Sequence, residues 1–121
     1  MAGNQGKTEI PGEMTVESRI VRALEVFGDP VENVVHTSDE ERYYVFYVSR
    51  FGTLYADDEP NAEAVNVQIH LFAPLAENIV GYVKDTKKAL RDAGFLWPKA
   101  IDASDQDGRH IVFETEWVEG L

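Results

Sequence analysis

Apolar and polar residues alternate along the stretch from Val65 to Leu71. One set is apolar throughout: Val65, Val67, Ile69 and Leu71. The other set is polar: Asn66, Gln68 and His70. A period of two is typical of a β-strand with one buried face. The pattern therefore predicts a strand that turns Asn66, Gln68 and His70 away from the core.

The period changes between Ala76 and Ala93, where apolar positions recur at steps of three and four: Ile79, Val83, Thr86, Leu90 and Ala93. This spacing predicts an amphipathic helix. Pro74 stands before it, where a missing N–H does least harm, and Gly94 occupies the place of a helix-ending glycine. Residues Glu63 to Phe95 thus predict a packing unit in which a helix covers one face of a sheet.

A second helix is predicted from Thr15, a suitable N-cap, to Phe27. Its apolar stripe comprises Val16, Ile20, Ala23, Leu24 and Phe27. Gly28 and the following Asp29-Pro30 end it. Residues 1–14 are polar, glycine-rich and aperiodic, so we expect a flexible N-terminal arm, with a single domain over 15–121.

The segment from Arg42 to Arg50 is β-branched and aromatic, which predicts a strand that is apolar on both faces. Tyr43, Val45 and Tyr47 share one face, and Tyr44, Phe46 and Val48 share the other. Such a strand is either covered on both sides in the core or has one face reserved for another chain. Tyrosine is favoured at interfaces, which makes the second interpretation credible.

The remaining chain predicts shorter elements. We expect extended segments at 31–36, at 95–101 (an edge strand or bulge, because of Pro98) and at 109–118, with turns at 37–41 and 102–108 and an acidic loop at 51–61. The predicted fold is a single small α+β domain, a mostly antiparallel β-sheet with two helices packed on one face, in the order α-β-β-β-α-β-β.

The chain has 121 residues, a net charge of −11 and no cysteine. The negative charge argues against a general binder of the nucleic-acid backbone. The missing cysteines exclude disulfides, thiolate zinc sites and a cysteine nucleophile. No apolar run approaches the length of a membrane span, and no signal-peptide pattern is present, so we expect an intracellular, soluble protein.

Acidic clusters give little support for chemistry. Asp105, Asp107, Gly108 and Glu114 have part of the EF-hand spacing, but Ala103 stands at the first ligand position and a strand follows the loop. A hairpin turn explains these residues better than a calcium site. Asp57 and Asp58 are adjacent, and a solvated acidic loop is the simpler interpretation than a pair of acid–base carboxylates.

The histidines and the basic helix leave alternatives open. His70 and His110 both lie on predicted strands, where they are either polar neighbours or, with a carboxylate, ligands of a metal ion. Four cations cluster on the second helix: Lys84, Lys87, Lys88 and Arg91. They are either its solvated face or a contact patch for an acidic partner. No nucleophile, phosphate-loop or dinucleotide motif is present, so nothing supports an enzyme, a cofactor or a catalytic residue.

The order of motifs resembles the small tail-completion or tail-terminator proteins of long-tailed bacteriophages and prophages. The resemblance covers about 16–118 and rests on Gly28-Asp29-Pro30, the aromatic strand ending in YADDEP (Tyr55 to Pro60), the strand VNVQIHLFAP, the helix end ALRDAGF (Ala89 to Phe95) and the final strand RHIVFETEW. These motifs are structural rather than catalytic.

The resemblance implies a structural virion protein that forms a ring, commonly hexameric, on the tail tube. Such a ring ends tube polymerisation and provides the head-docking surface. The implied partners are further copies of the chain, the major tail tube protein and the head-completion or connector protein. It implies no cofactor, no metal, no sequence-specific nucleic acid and no membrane. The implied location is the tail or neck of the virion, and the host cytoplasm during assembly.

Eleven residues are candidate interface positions: Tyr43, Tyr44, Tyr47, Tyr55, Asp57, Asp58, His70, Lys84, Lys87, Lys88 and Arg91. One alternative is a head–tail connector or tail-assembly protein of the same virion. Another is a small metal- or ligand-binding domain that uses His70, His110 and Asp57 or Asp58.

Overall fold

The computed structural model describes the backbone of residues 15–34, 41–56 and 59–120, and their side chains except at 51–56, 59–63, 119 and 120. The predicted arm, 1–14, lies outside this description. The elements are α1 (Val16–Leu24), β1 (Val31–Asn33), β2 (Tyr43–Ala56), β3 (Glu59–Ala73), α2 (Val80–Asp92), β4 (Lys99–Asp102) and β5 (Arg109–Gly120). A single 3-10 turn, Glu25–Phe27, extends α1. The α+β class and the element order are confirmed.

The five strands form one mixed sheet in the order β1-β2-β3-β5-β4. The short β1 runs parallel to β2, and the other three pairs are antiparallel. Phe46, Ile69 and Phe113 are directly opposite one another across β2, β3 and β5. This register places the apolar set of each strand on the same side of the sheet, as a single core requires.

Both helices pack on that side, which we call the covered face. The stripe of α1 buries Val16, Ile20 and Leu24, and α2 contributes Thr86 and Leu90, preceded by Ile79. The sheet contributes the aromatic and aliphatic residues of the covered face: Tyr44, Phe46, Val65, Val67, Ile69, Leu71, Ile111 and Phe113. The predicted arrangement of two helices over one face is confirmed.

The ends of the helices follow from local chemistry. Thr15 caps α1, since its side chain accepts a hydrogen bond from the Ser18 N–H at 3.1 Å. Gly28 and Gly94 both adopt the left-handed conformation that terminates a helix, at φ of 83° and 105°. The predicted start of α2 near Ala76 is wrong, because Pro74 opens a turn and Asn78 accepts a hydrogen bond from the Val80 N–H.

The predicted loop over 51–61 is also wrong for the residues that the structure describes. There β2 continues to Ala56 and β3 begins at Glu59, so the two strands form one long hairpin with register shifts after Ser49 and Leu54. Gly52 interrupts the apolar alternation, yet backbone hydrogen bonds between the two strands continue past it. Asp57 and Asp58 lie outside the described residues.

Two strands are shorter than predicted. Val34, at a φ of 72°, ends β1 after Asn33, and 35–40 lie outside the described residues. The segment 95–98 is not a strand, because Phe95 and Pro98 are buried beside the sheet before β4 begins at Lys99. The expectation that Pro98 accompanies an edge strand is confirmed, since β4 is the last strand of the sheet.

Candidate assembly surfaces

No helix covers the opposite side of the sheet within the described ranges, and we call this side the open face. It carries a cluster of rings in mutual contact from three strands, here named the aromatic row: Tyr43, Tyr47, His70, Phe72 and His110. Cross-strand pairing creates it, since Tyr43 is opposite Phe72 and Phe72 is opposite His110. Ring centroids lie 5.0 Å apart in the first pair and 4.3 Å apart in the second, which are stacking distances.

The aromatic row is accessible from solvent. Tyr47 is 41% exposed, and on the edge strand Ile101 is 40% exposed. Val45, between Tyr43 and Tyr47, is nevertheless only 4% exposed. The open face therefore presents apolar surface that is shielded in part by its own large side chains.

His70 and His110 are in direct contact in this row. His70 Nδ1 lies 2.7 Å from His110 Nε2, and His70 Nε2 lies 2.8 Å from Gln68 Oε1. Because the Gln68 amide oxygen can only accept a hydrogen bond, His70 Nε2 carries the proton and His70 Nδ1 is unprotonated. His110 Nε2 then donates to it. Burial, and next the neighbouring His110, hold the pKa of His70 below its usual value.

The geometry of this pair is that of a hydrogen bond rather than a metal chelate. The two ring centroids are 5.0 Å apart, which equals the nitrogen–nitrogen distance plus the two ring radii. The two ring nitrogens therefore face each other along one line and do not converge on a third point. Within the described residues, no group of three histidine or acidic side chains is arranged to hold a metal ion.

A second surface lies on the other side of the sheet, in a groove of about 500 Å³ between α2, the segment before β4, and the start of β5. We call it the α2 groove. Apolar side chains line it, with Lys84, Lys87 and Arg109 beside them: Ile79, Val80, Val83, Trp97, Ala100 and Ile111. Asp102 and Ser104 also line it. Hydrogen bonds from Ser104 hold the pKa of Asp102 below its usual value, so its carboxylate is ionised at neutral pH.

The candidate interface residues fall into four groups. Tyr43, Tyr47 and His70 lie together on the open face. Lys84 and Lys87 line the α2 groove, while Lys88 and Arg91 are exposed on the same helix. Tyr44 is fully buried on the covered face, so its inclusion as a surface residue was wrong. The Tyr55 side chain, Asp57 and Asp58 are outside the description.

Sequence reasoning missed Trp97, which lines the α2 groove, and the interactions of Arg42. Trp97, 54% exposed, forms a wall of the α2 groove, and the Arg91 guanidinium lies 5.4 Å from its ring centroid. Arg42 pairs with Asp29 at 2.9 Å and with Glu77, and stacks 4.3 Å from the Tyr82 ring centroid. Its partners are 13 and 35 residues away along the chain, so no local pattern reports them.

The turn from Asp105 to Gly108 is a hairpin turn, as predicted. Asp105 Oδ1 accepts from the Asp107 N–H at 2.8 Å, and the backbones of Asp105 and Gly108 bond to each other in both directions. A strand rather than a helix follows, which is incompatible with an EF-hand.

The fold and its two surfaces define a small α+β protein with one open sheet face. No protein-family model matches the chain, and no curated protein matches it significantly. In the parts of the chain that the structure describes, no helix has the length and apolar character needed to cross a bilayer.

Proposed function

We propose that this chain is a structural subunit of a bacteriophage virion, a tail terminator. In this proposal it forms a ring on the tail tube, ends tube polymerisation and provides the surface to which the head docks. The resemblance of its motifs to tail-completion proteins suggests the place in the virion. The observation that carries an assembly role is the open face, where the aromatic row is left without a covering helix.

The physical argument concerns burial. A five-stranded sheet with helices on one side has a second side that is either polar or covered in the assembled state. Here that second side is the open face, and it carries aromatic and imidazole rings from β2, β3 and β5. Covering it with a neighbouring copy or with the tube protein would remove apolar surface from water, at about 25 cal/mol per Å² of apolar area.

The charge agrees with this role. A ring through which DNA passes has to avoid binding the phosphate backbone, and a chain of net charge −11 repels it. The role requires neither a cofactor nor a reaction, and the proposal treats the protein as a non-enzyme.

Capping of purified tail tubes tests the proposal. Negative-stain imaging and co-sedimentation should show the protein at one end of each tube. Tyr47→Ser should weaken this binding by tenfold or more, because it removes an aromatic ring that is 41% exposed on the proposed contact surface. Val26→Ser is the matched control, since Val26 is 73% exposed but lies on the turn after α1. A wild-type protein that ignores tube ends would refute the terminator role.

Two alternatives remain as proposals with their own outcomes. Binding to the head connector without binding to tubes would assign the chain to the neck. The second alternative is a small ligand-binding domain that uses His70 and His110, which are in contact but whose ring nitrogens face each other. Stoichiometric metal in the purified protein that is lost in His70→Ala would support that alternative.

A further inference from the structure

We propose that the α2 groove receives the acidic end of the β2–β3 hairpin of a second copy of this chain. This inference rests on the proposed function, because it assigns the contact between neighbouring copies in the ring. The groove and the hairpin end would then be the two complementary halves of one interface.

The α2 groove is suited to a segment that combines apolar and acidic side chains. Its apolar lining includes Val80 and Trp97, which are 74% and 54% exposed and would be covered by an occupant. Lys84, Lys87 and Arg109 provide three cations at the same groove, against the single carboxylate of Asp102. Arg109 is held in place because its Nε donates to the Glu77 carbonyl oxygen at 3.2 Å.

The hairpin end has the complementary composition. Ala56 pairs with Glu59 at the end of β2 and β3, and Tyr55 pairs with Pro60. In the sequence, Asp57, Asp58 and Glu59 are three successive carboxylates directly after Tyr55 and Ala56. By composition, this segment combines one tyrosine with three carboxylates, which complements a groove of apolar residues and cations.

The two features lie at opposite ends of the sheet, so they do not meet within one chain. Ala73 is opposite Arg109 at the groove end of β3, whereas the hairpin closes at Glu59 at the other end of the same strand. The strand from Glu59 to Ala73 has 15 residues, which corresponds to roughly 50 Å at about 3.3 Å per residue. Only another copy can bring an acidic hairpin end to the groove.

A contact between two different surfaces of identical chains is heterologous. Repeated from copy to copy, such a contact closes into a ring when the rotation allows and otherwise extends as a filament. A second copy is a better occupant than an unrelated protein because the chain itself supplies the complementary charge. In a chain of net charge −11, the three cations of the α2 groove also attract a carboxylate.

Charge reversal on each half tests the inference. The groove variant is Lys84→Glu/Lys87→Glu, and the hairpin variant is Asp57→Lys/Asp58→Lys. Sedimentation velocity at low ionic strength should show self-association of the wild type, and at least a tenfold loss for each variant alone. An equimolar mixture of the two variants should associate again, because every groove then finds a hairpin end of opposite charge.

Circular dichroism establishes that each variant is folded. The single variant Lys84→Glu is measured beside its matched control Lys88→Glu, which makes the same charge change on α2 outside the groove lining. Retained association in the single variants, a mixture that fails to recover, or a wild type that stays monomeric throughout would overturn the inference. Recovery with the tube protein in place of the second variant would assign the groove to the tube.

The two proposals fail separately. Restored association of the mixture without binding to tube ends would support the α2 groove contact and refute the terminator role. Tube capping by the groove variant at wild-type strength, without copy-to-copy association, would support the terminator role and refute the α2 groove contact.

Discussion

The buried hydrogen bond between Tyr44 and Thr86 joins the sheet to α2 and allows a quantitative test of the core. The Tyr44 hydroxyl lies 2.8 Å from Thr86 Oγ1, and both residues have no exposed surface. Burial raises the pKa of Tyr44 to about 12. Thr86 lies in the apolar stripe of α2, and the Tyr44 hydroxyl is the side-chain partner of its hydroxyl.

Two conservative changes remove the partners one at a time. Tyr44→Phe keeps the ring, including its contact with Phe27 at a centroid distance of 6.4 Å. Thr86→Val keeps the branched shape on the helix. Each single variant leaves one buried hydroxyl unsatisfied, which costs about 1–3 kcal/mol of unfolding free energy. For a domain of this size, ~1 kcal/mol corresponds to roughly 3–5 °C in Tm.

The double variant should be less destabilised than the sum of the two single variants, by about 1 kcal/mol or more, since neither unpaired hydroxyl remains. Urea unfolding followed by tryptophan fluorescence measures all four proteins. Tyr47→Phe, at an exposed position on the open face, is the control and should change stability by less than about 0.5 kcal/mol. Additive effects in the double variant would refute the reasoning.

Two further outcomes are expected from the same unfolding assay. Gly94→Ala should destabilise the fold by about 1–2 kcal/mol or more, because Gly94 has a φ of 105° and an added Cβ would lie 2.7 Å from the Trp117 ring. Gly81→Ala is the control and should not destabilise the fold, since an added Cβ there meets open space. Equal stability of the two variants would contradict this account. The lowered pKa of His70 means that the unfolded chain binds its proton more readily, so its contribution is complete above about pH 6.5 and declines as the pH falls through the folded-state pKa. His70→Gln should therefore have a shallower loss of stability between pH 7.5 and 4.5, and an unchanged pH slope would show that His70 is not responsible.

Local patterns predicted a large part of the fold. The period-two alternation of Val65 to Leu71 and the stripes of the two helices identified buried positions that the structure confirms. Thr15, Gly28 and Gly94 were informative because capping depends on a few neighbouring backbone groups. These features depend on short stretches of chain, so the sequence carries them directly.

The residues of the open face and of the α2 groove were predicted less completely than the helices and strands. The sequence identified Tyr43, Tyr47 and His70 as surface residues and Lys84 and Lys87 as a basic patch. It also placed the fully buried Tyr44 among the surface residues. Both faces of β2 are apolar, and an alternation separates two faces without showing which one the helices cover.

By itself, the sequence of this protein determined the two helices, the glycines that end them and the apolar set of the central strands, because these depend on neighbours within a turn or two of chain. The tertiary structure decided the parallel pairing of β1, the long hairpin of β2 and β3, and the groove beside Trp97. It also decided that His70 meets His110, 40 residues away. That contact depends on the register between two strands, which is set by the packing of the whole sheet.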